Sequence, residues 1–255
     1  AFIDEFVTKN GRVGSHTQTG YSLALAFDLL PENLKKNAEE YLAADVKKMG
    51  HLTSGFVGTP LVCQTLSSIG RDDLAFMLLK RTKYPSWLYP VTQGATTIWE
   101  RWDGQKPDGS FQDVGMNSFN HYAYGAIGEW LYRHVAGIDL DPRHPGYKHI
   151  LLAPHPGGGL TNASAELSSL YGMIKSSWKL NKTQIVYDVT IPANTTATVT
   201  LPHAELAKVM VNQLPVSGSK NCKAEQVKDA TTVELGSGNY QFTYDSDLFL
   251  TKKWK

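Results

Sequence analysis

The apolar residues of this chain change their spacing once, near residue 140, and that change limits the fold more than any single motif. Up to that point they recur every three or four residues, the period of helices with a buried face. Beyond it they alternate, the period of strands. Between the two lies "DLDPRHPGYKHILLAPHPGGG", rich in proline, ending in a glycine triplet and carrying a strand-like "YKHILLA". Such a chain needs one helical core and one strand core, and 255 residues are enough to bury both.

In the helical part, "TGYSLALAFDLLP" carries Leu23, Ala24, Leu25, Ala26, Phe27, Leu29 and Leu30. Apolar nearly all round, it predicts a helix buried on most sides and stopped at Pro31. "ENLKKNAEEYLAADVKKM" puts Leu34, Ala38, Tyr41, Leu42 and Val46 on one stripe, a surface helix with one buried face. "TPLVCQTLSSIG" is largely apolar again, with Thr59 placed to cap, Pro60 in the first turn and Gly70 at the end. "RDDLAFMLLKR" follows, acids first and bases last, as the helix dipole favours. A short segment near Ser86–Thr92 and a helix over Ser118–Ala136 continue the set. Buried helices alternating with half-buried ones suit αα-hairpins ringing a centre. After the boundary, "QIVYDVTI" places Ile185, Tyr187, Val189 and Ile191 on one face, with a hairpin turn at Asn181–Thr183 before it. "MIKSSWKL", "ATVTL", "KVMV", "TVEL" and "YQFTY" complete an antiparallel β-sandwich of roughly 100 residues. The expected division is residues 1–140 helical, 141–162 linker and first strand, and 163–255 sandwich.

Lysine and arginine number 25 against 24 acidic residues, so the net charge is +1. That balance gives nucleic acid or an anionic membrane surface no purchase as a partner. No apolar run approaches the ~20 residues that span a bilayer. Cys63 and Cys222 sit in dissimilar contexts and read as two separate thiols, without metal-ligand spacing; the reading calls for no metal and no cofactor. The chain opens on an uncapped, helix-like segment without a signal peptide's pattern, as if cut from a longer protein, so its location in the cell stays open.

Chemistry concentrates in "GATTIWERWDG". Indole faces suit the apolar C–H faces of a pyranose, and a carboxylate beside them can activate water. Glu100 lies between Trp99 and Trp102, and Arg101 is placed to keep it ionised. The plainer reading of the same residues is two core anchors flanking a surface ion pair. The neighbourhood favours chemistry: Asp103, Asp108 and Asp113 share a Gly-rich loop, and "SFNHYAYG" puts His121 in the first turn of a helix capped by Asn117 or Ser118. Tyr122 and Tyr124 read as packing residues.

"GATTIWERWDG", "PDGSF" and "SFNHYAYGAIGEWLYRHVAGI" resemble the bacterial α-L-rhamnosidases, glycoside hydrolase family 78. "TQTGYSLALAFDLLP", "HLTSGFVGTP" and "SLYGMIKSSWKL" resemble that family in the same order, so the likeness spans residues 15–180. It implies the second half of an (α/α)6 catalytic barrel followed by a β-sandwich. It implies hydrolysis of terminal α-L-rhamnose from glycosides or polysaccharides with inversion, a rhamnose-containing carbohydrate being the partner. It makes Glu100 the general base and sets Trp99, Trp102 and His121, with Trp87 of "PSWLYP" more weakly, at the sugar pocket. Inversion needs a second carboxyl group, roughly 6.5–9.5 Å from the first. The family's acidic motif for it is missing here, Glu129 lies mid-helix in apolar text, and the loop aspartates crowd the base's own side. The chain therefore reads as the C-terminal part of a longer enzyme, inactive alone, with the N-terminal remainder as its natural partner and self-association as the alternative. Another (α/α)6 glycosidase, for fucose or glucose, fits the same architecture, and so does a non-catalytic carbohydrate-binding fragment.

Overall fold

The computed structural model of the chain describes residues 1–219 and 222–245. It divides into two compact units, Ala1–Trp130 and Leu131–Lys255, each with a core of its own.

The first unit is helical: α1 Phe2–Phe6, α2 Gln18–Ala26, α3 Glu32–Met49, α4 Thr59–Ser68, α5 Asp72–Lys80, α6 Leu88–Thr92 and α7 Ile127–Trp130. On α3 the expected stripe turns inward, with Ala38, Leu42 and Val46 fully covered, and Gly50 ends the helix in the left-handed region at φ 65°. α2 lies against α3 and α4, and α4 against α5. Tyr21, Leu42, Leu66, Phe76 and Trp130 make the largest fully buried side chains of this core. Gln18, also fully buried, donates to the His51 carbonyl (3.1 Å) and accepts from the Thr53 amide (3.0 Å), which joins the start of α2 to the strip before α4.

Three helical expectations need correction. α2 stops at Ala26, five residues before Pro31, because Asp28 takes a left-handed conformation (φ 53°). Its all-round apolar character is not matched by burial, since Phe27 and Leu29 are exposed. α4 begins at Thr59 with Gly58 as its cap residue; the Thr59 hydroxyl instead bonds Ser54. The helix expected over Ser118–Ala136 is broken into a 3₁₀ turn Ala123–Ala126, the single α turn α7 and a π turn Leu131–Val135. Residues 118–121 are not helical because residues 97–100 take their backbone groups: Glu100 N donates to Ser118 O (2.9 Å) and His121 N to Ile98 O (2.9 Å).

The second unit holds two sheets. The strands are β1 Ile138–Leu140, β2 His149–Leu152, β3 Asn162–Ser169, β4 Gly172–Asn181, β5 Gln184–Ile191, β6 Thr196–Pro202, β7 Met210–Val211, β8 Leu214–Pro215, β9 Lys223–Val227, β10 Ala230–Leu235 and β11 Gly238–Asp245. One sheet runs β1-β2-β6-β10-β9 and the other β3-β4-β5-β11-β7-β8. Ile185, Tyr187, Val189 and Ile191 all face the core, as the period of two required, and Lys182 (φ 56°) makes the turn before them. Among the described residues the strands pair antiparallel except at one place: β2, the strand of "YKHILLA", pairs with β6 in parallel, Ile150 opposite Ala197. Residues 139–140 and 149–152 of the proline-rich stretch are thus sheet members, with Ile150 and Leu152 turned into the core. Both cysteines are free thiols, Cys63 buried and Cys222 half-buried. Among the described residues no helix is long and apolar enough to cross a membrane.

Candidate active site

A two-ply backbone strip carries the candidate site in the helical unit. Residues 97–100 run beside 118–121, held by the two backbone bonds above and by the Thr97 hydroxyl on the Phe119 carbonyl. The Glu100 side chain folds back onto the partner ply, where its Oε2 accepts from the Ser118 amide at 2.8 Å. A carboxylate fixed by a backbone N–H has its rotamer chosen in advance. Its other oxygen makes no hydrogen bond among the described residues.

Arg101 does not serve Glu100. Its Nε lies 3.3 Å from Asp103 Oδ1, while Gln112 donates to Asp103 Oδ2 at 2.6 Å. The remaining loop aspartates are similarly engaged. Asp108 accepts from the Ser110 amide and hydroxyl, which hold its carboxyl below the usual range, and Asp113 accepts from the Gly115 amide. Gly104 is where this loop presses closest: a Cβ there would meet Asn117 Oδ1 at 2.7 Å and the rings of Phe119 and Trp99 at 3.2 and 3.3 Å. Glycine is required for that approach.

The tryptophans form the frame beneath. Trp87, Trp99 and Trp102 are all buried. Trp102 stacks on Tyr124 with ring centres 3.8 Å apart and meets Trp87 edge to face at 5.6 Å. Trp87 Nε1 donates to the Tyr124 carbonyl at 2.9 Å, and Trp99 packs edge-on to Phe119. Burial pushes the Tyr124 phenol up. One face of the Trp102 indole is therefore closed by protein, so its part is to brace the strip more than to offer an open platform.

His121 lies outside any helix and is half-buried, sandwiched between Phe56 (4.8 Å) and Tyr122 (5.6 Å). Its Nδ1 accepts from the Ala123 amide at 3.4 Å, so in the neutral ring the proton is on Nε2, available to a ligand oxygen. Phe56, in the middle of "HLTSGFVGTP", escaped attention as a site member, because nothing local tells a stacking phenylalanine from a core one. The Ser118 amide escaped it because a backbone donor leaves no mark in sequence. Tyr124 packs as expected, whereas Tyr122 touches the His121 ring but stays out of the core, 89% exposed. Among the described residues no group of three histidine, cysteine or carboxylate side chains is placed to hold a metal ion.

A helical unit that carries Glu100 between two buried tryptophans in sequence is followed by a unit of two sheets. Residues 1–135 match the bacterial α-L-rhamnosidase six-hairpin glycosidase domain, and residues 137–214 match the bacterial α-L-rhamnosidase C-terminal domain. The chain belongs to the bacterial α-L-rhamnosidase family of glycoside hydrolases. It is 40% identical over 245 residues to an α-L-rhamnosidase of Streptomyces avermitilis, covering 95% of this chain and 23% of the relative. It is 43% identical over 246 residues to one from Formosa agariphila, again 95% of this chain and 26% of that protein. Among solved structures, the S. avermitilis α-L-rhamnosidase complexed with L-rhamnose aligns with a TM-score of 0.88 at 38% identity, over 95% of this chain and 23% of that one. The native enzyme of Aspergillus terreus aligns with a TM-score of 0.82 at 34% identity, over 95% of this chain and 25% of that one. The chain thus spans about a quarter of the length of the relatives it matches.

Proposed function

We propose that this chain supplies the base side of an inverting α-L-rhamnosidase site, with Glu100 as the general base that deprotonates the attacking water. The observation that carries the reading is the Glu100 carboxylate, anchored through one oxygen by the Ser118 amide while the other has no hydrogen-bond partner among the described residues. A base must be held still and still keep a lone pair for its proton. The Nε2–H of His121 fits a sugar hydroxyl, and Trp99, Trp102 and Trp87 keep the strip rigid behind it. The similarity to an enzyme complexed with L-rhamnose supports rhamnose as the sugar.

The helices of residues 1–130 then form part of an (α/α)6 barrel whose remaining hairpins belong to the rest of the parent protein, its natural partner. The general acid lies there too. Asp103 accepts from Gln112, Asp108 from Ser110 and Asp113 from the Gly115 amide, each within its own loop, and Glu129 is exposed on α7. None is set to hand a proton to a leaving group.

In the full-length protein, Glu100→Gln should lower turnover of an aryl α-L-rhamnoside by about 10²–10⁴ with little change in KM. Full activity in that variant refutes the assignment. Proton NMR of the first-formed sugar should show the anomer opposite to the substrate's. Aryl fucosides and glucosides, offered alongside, should be turned over far more slowly. The 255-residue chain by itself should give no turnover; measurable release of the aryl group from it would place an acid within these residues.

A further inference from the structure

We propose that the sheet β1-β2-β6-β10-β9 carries a second carbohydrate site, a groove across its outer face that takes an uncharged, hydroxyl-rich saccharide chain. The proposal does not depend on the rhamnosidase reading of Glu100.

On these strands every second residue enters the core: Ile150 and Leu152, Ala197 and Val199, Val233 and Leu235. The residues between them point outward and lie in register, His149 opposite Thr196, Thr198 opposite Glu234, and Glu234 opposite Lys223. They are wired in one direction. Thr198 Oγ1 lies 2.5 Å from Glu234 Oε1 and donates its single proton there. It must then accept from His149 Nε2, 2.8 Å away, which fixes the proton on that nitrogen. In the neutral ring Nδ1 is left as an acceptor, and the Thr196 hydroxyl, at 2.7 Å, donates to it. The chain Thr196→His149→Thr198→Glu234 leaves lone pairs on Thr196 and the second oxygen of Glu234 unspent.

Two adjoining openings lie over this row. One, of about 500 Å³, is bordered by His144, Lys148, His149, Thr196 and Ser237. The other, of about 460 Å³, is bordered by His149, Thr196, Glu234 and Lys223. They share His149, Thr196 and Gly236 and so form one shallow, open groove. His144 is itself oriented, its Nδ1 facing the Asp141 carboxylate at 3.0 Å.

The chemistry selects the ligand. The groove mixes donors with acceptors, and lysines with a central carboxylate. An anion would meet Glu234, and an apolar ligand would leave the unspent lone pairs of Thr196 and Glu234 without donors. A sugar hydroxyl both donates and accepts, and can complete each of them. Because His149 and the two threonines already hold each other, ordering them costs binding little.

The test is titration of the whole chain with short neutral oligosaccharides (xylo-, cello-, manno-, galacto- and rhamno-series), read by calorimetry and NMR. One series should bind. Thr196→Val, which keeps the strand's shape and removes only the hydroxyl, and Glu234→Gln should each weaken it by about tenfold. Glu100→Gln should leave this affinity unchanged. The proposal is overturned if no series binds at about 10 mM, if only charged oligosaccharides bind, or if binding falls in Glu100→Gln and survives both groove variants.

Discussion

Glu100 and Asp141 show two opposite uses of a carboxylate in one chain. Glu100 keeps one oxygen without a hydrogen-bond partner among the described residues. Asp141, 1% exposed, spends both: Oδ1 accepts from the Arg143 amide and Nε, and Oδ2 from Arg143 Nη2 and His144 Nδ1. The Arg143 guanidinium, then His144, holds the Asp141 carboxyl well below the usual carboxylate range. A depressed value means the folded state favours the ionised form, so the contribution is present above the unfolded value of about 3.9 and is lost as pH falls below it toward the folded value. Asp141→Asn should lower the melting temperature at pH near 7, and the gap from the parent chain should close as melts are repeated below about pH 4. A gap independent of pH would show that shape, not charge, sets the loss.

At the scale of elements, backbone geometry decides where strands and turns can start. Gly137 precedes β1 with φ 85°, and a Cβ there would collide with the backbone of Ala153 and Pro154. Its carbonyl accepts from the Ala153 amide at 2.9 Å, which pins the entry of β1 to the exit of β2. Gly137→Ala should cost more than about 1 kcal/mol, since both the left-handed conformation and the space are refused. Thermal melts of the two proteins would show it, and equal stability would mean that this entry shifts freely. The failure of the expected Ser118–Ala136 helix belongs here too. Phe119, Tyr122, Ala123, Ala126, Ile127, Trp130 and Leu131 recur at helical spacing, so the period is real. Residues 118–121 nonetheless surrender their backbone bonds to residues 97–100, a long-range pairing that local spacing cannot signal.

At the scale of the whole molecule, the helical unit leaves much apolar surface in water. Phe27 and Leu29 after α2, Val57, Val91 and the loop residues Phe111 and Val114 are exposed, Val114 at 95%. Where such side chains adjoin, they mark a surface that another segment or chain covers. If hairpins of the parent protein cover this surface, the chain alone should self-associate with rising concentration. Light scattering that gives a monomer throughout would count against a missing half.

The sequence by itself determined what rests on short-range regularity. The switch of period near residue 140, the buried stripe of α3, the inward row of β5, and the grouping of Trp99, Glu100 and Trp102 all follow from neighbours within a few residues, where helix and strand geometry dictate which side chains share a face. Only the tertiary structure decided what depends on partners far along the chain. It gave Glu100 the Ser118 amide, set β2 parallel to β6, and left Tyr122 in water while Tyr124 closed the face of Trp102. A backbone donor and a ring face look the same in every sequence context; which group they meet is settled only when distant segments pack.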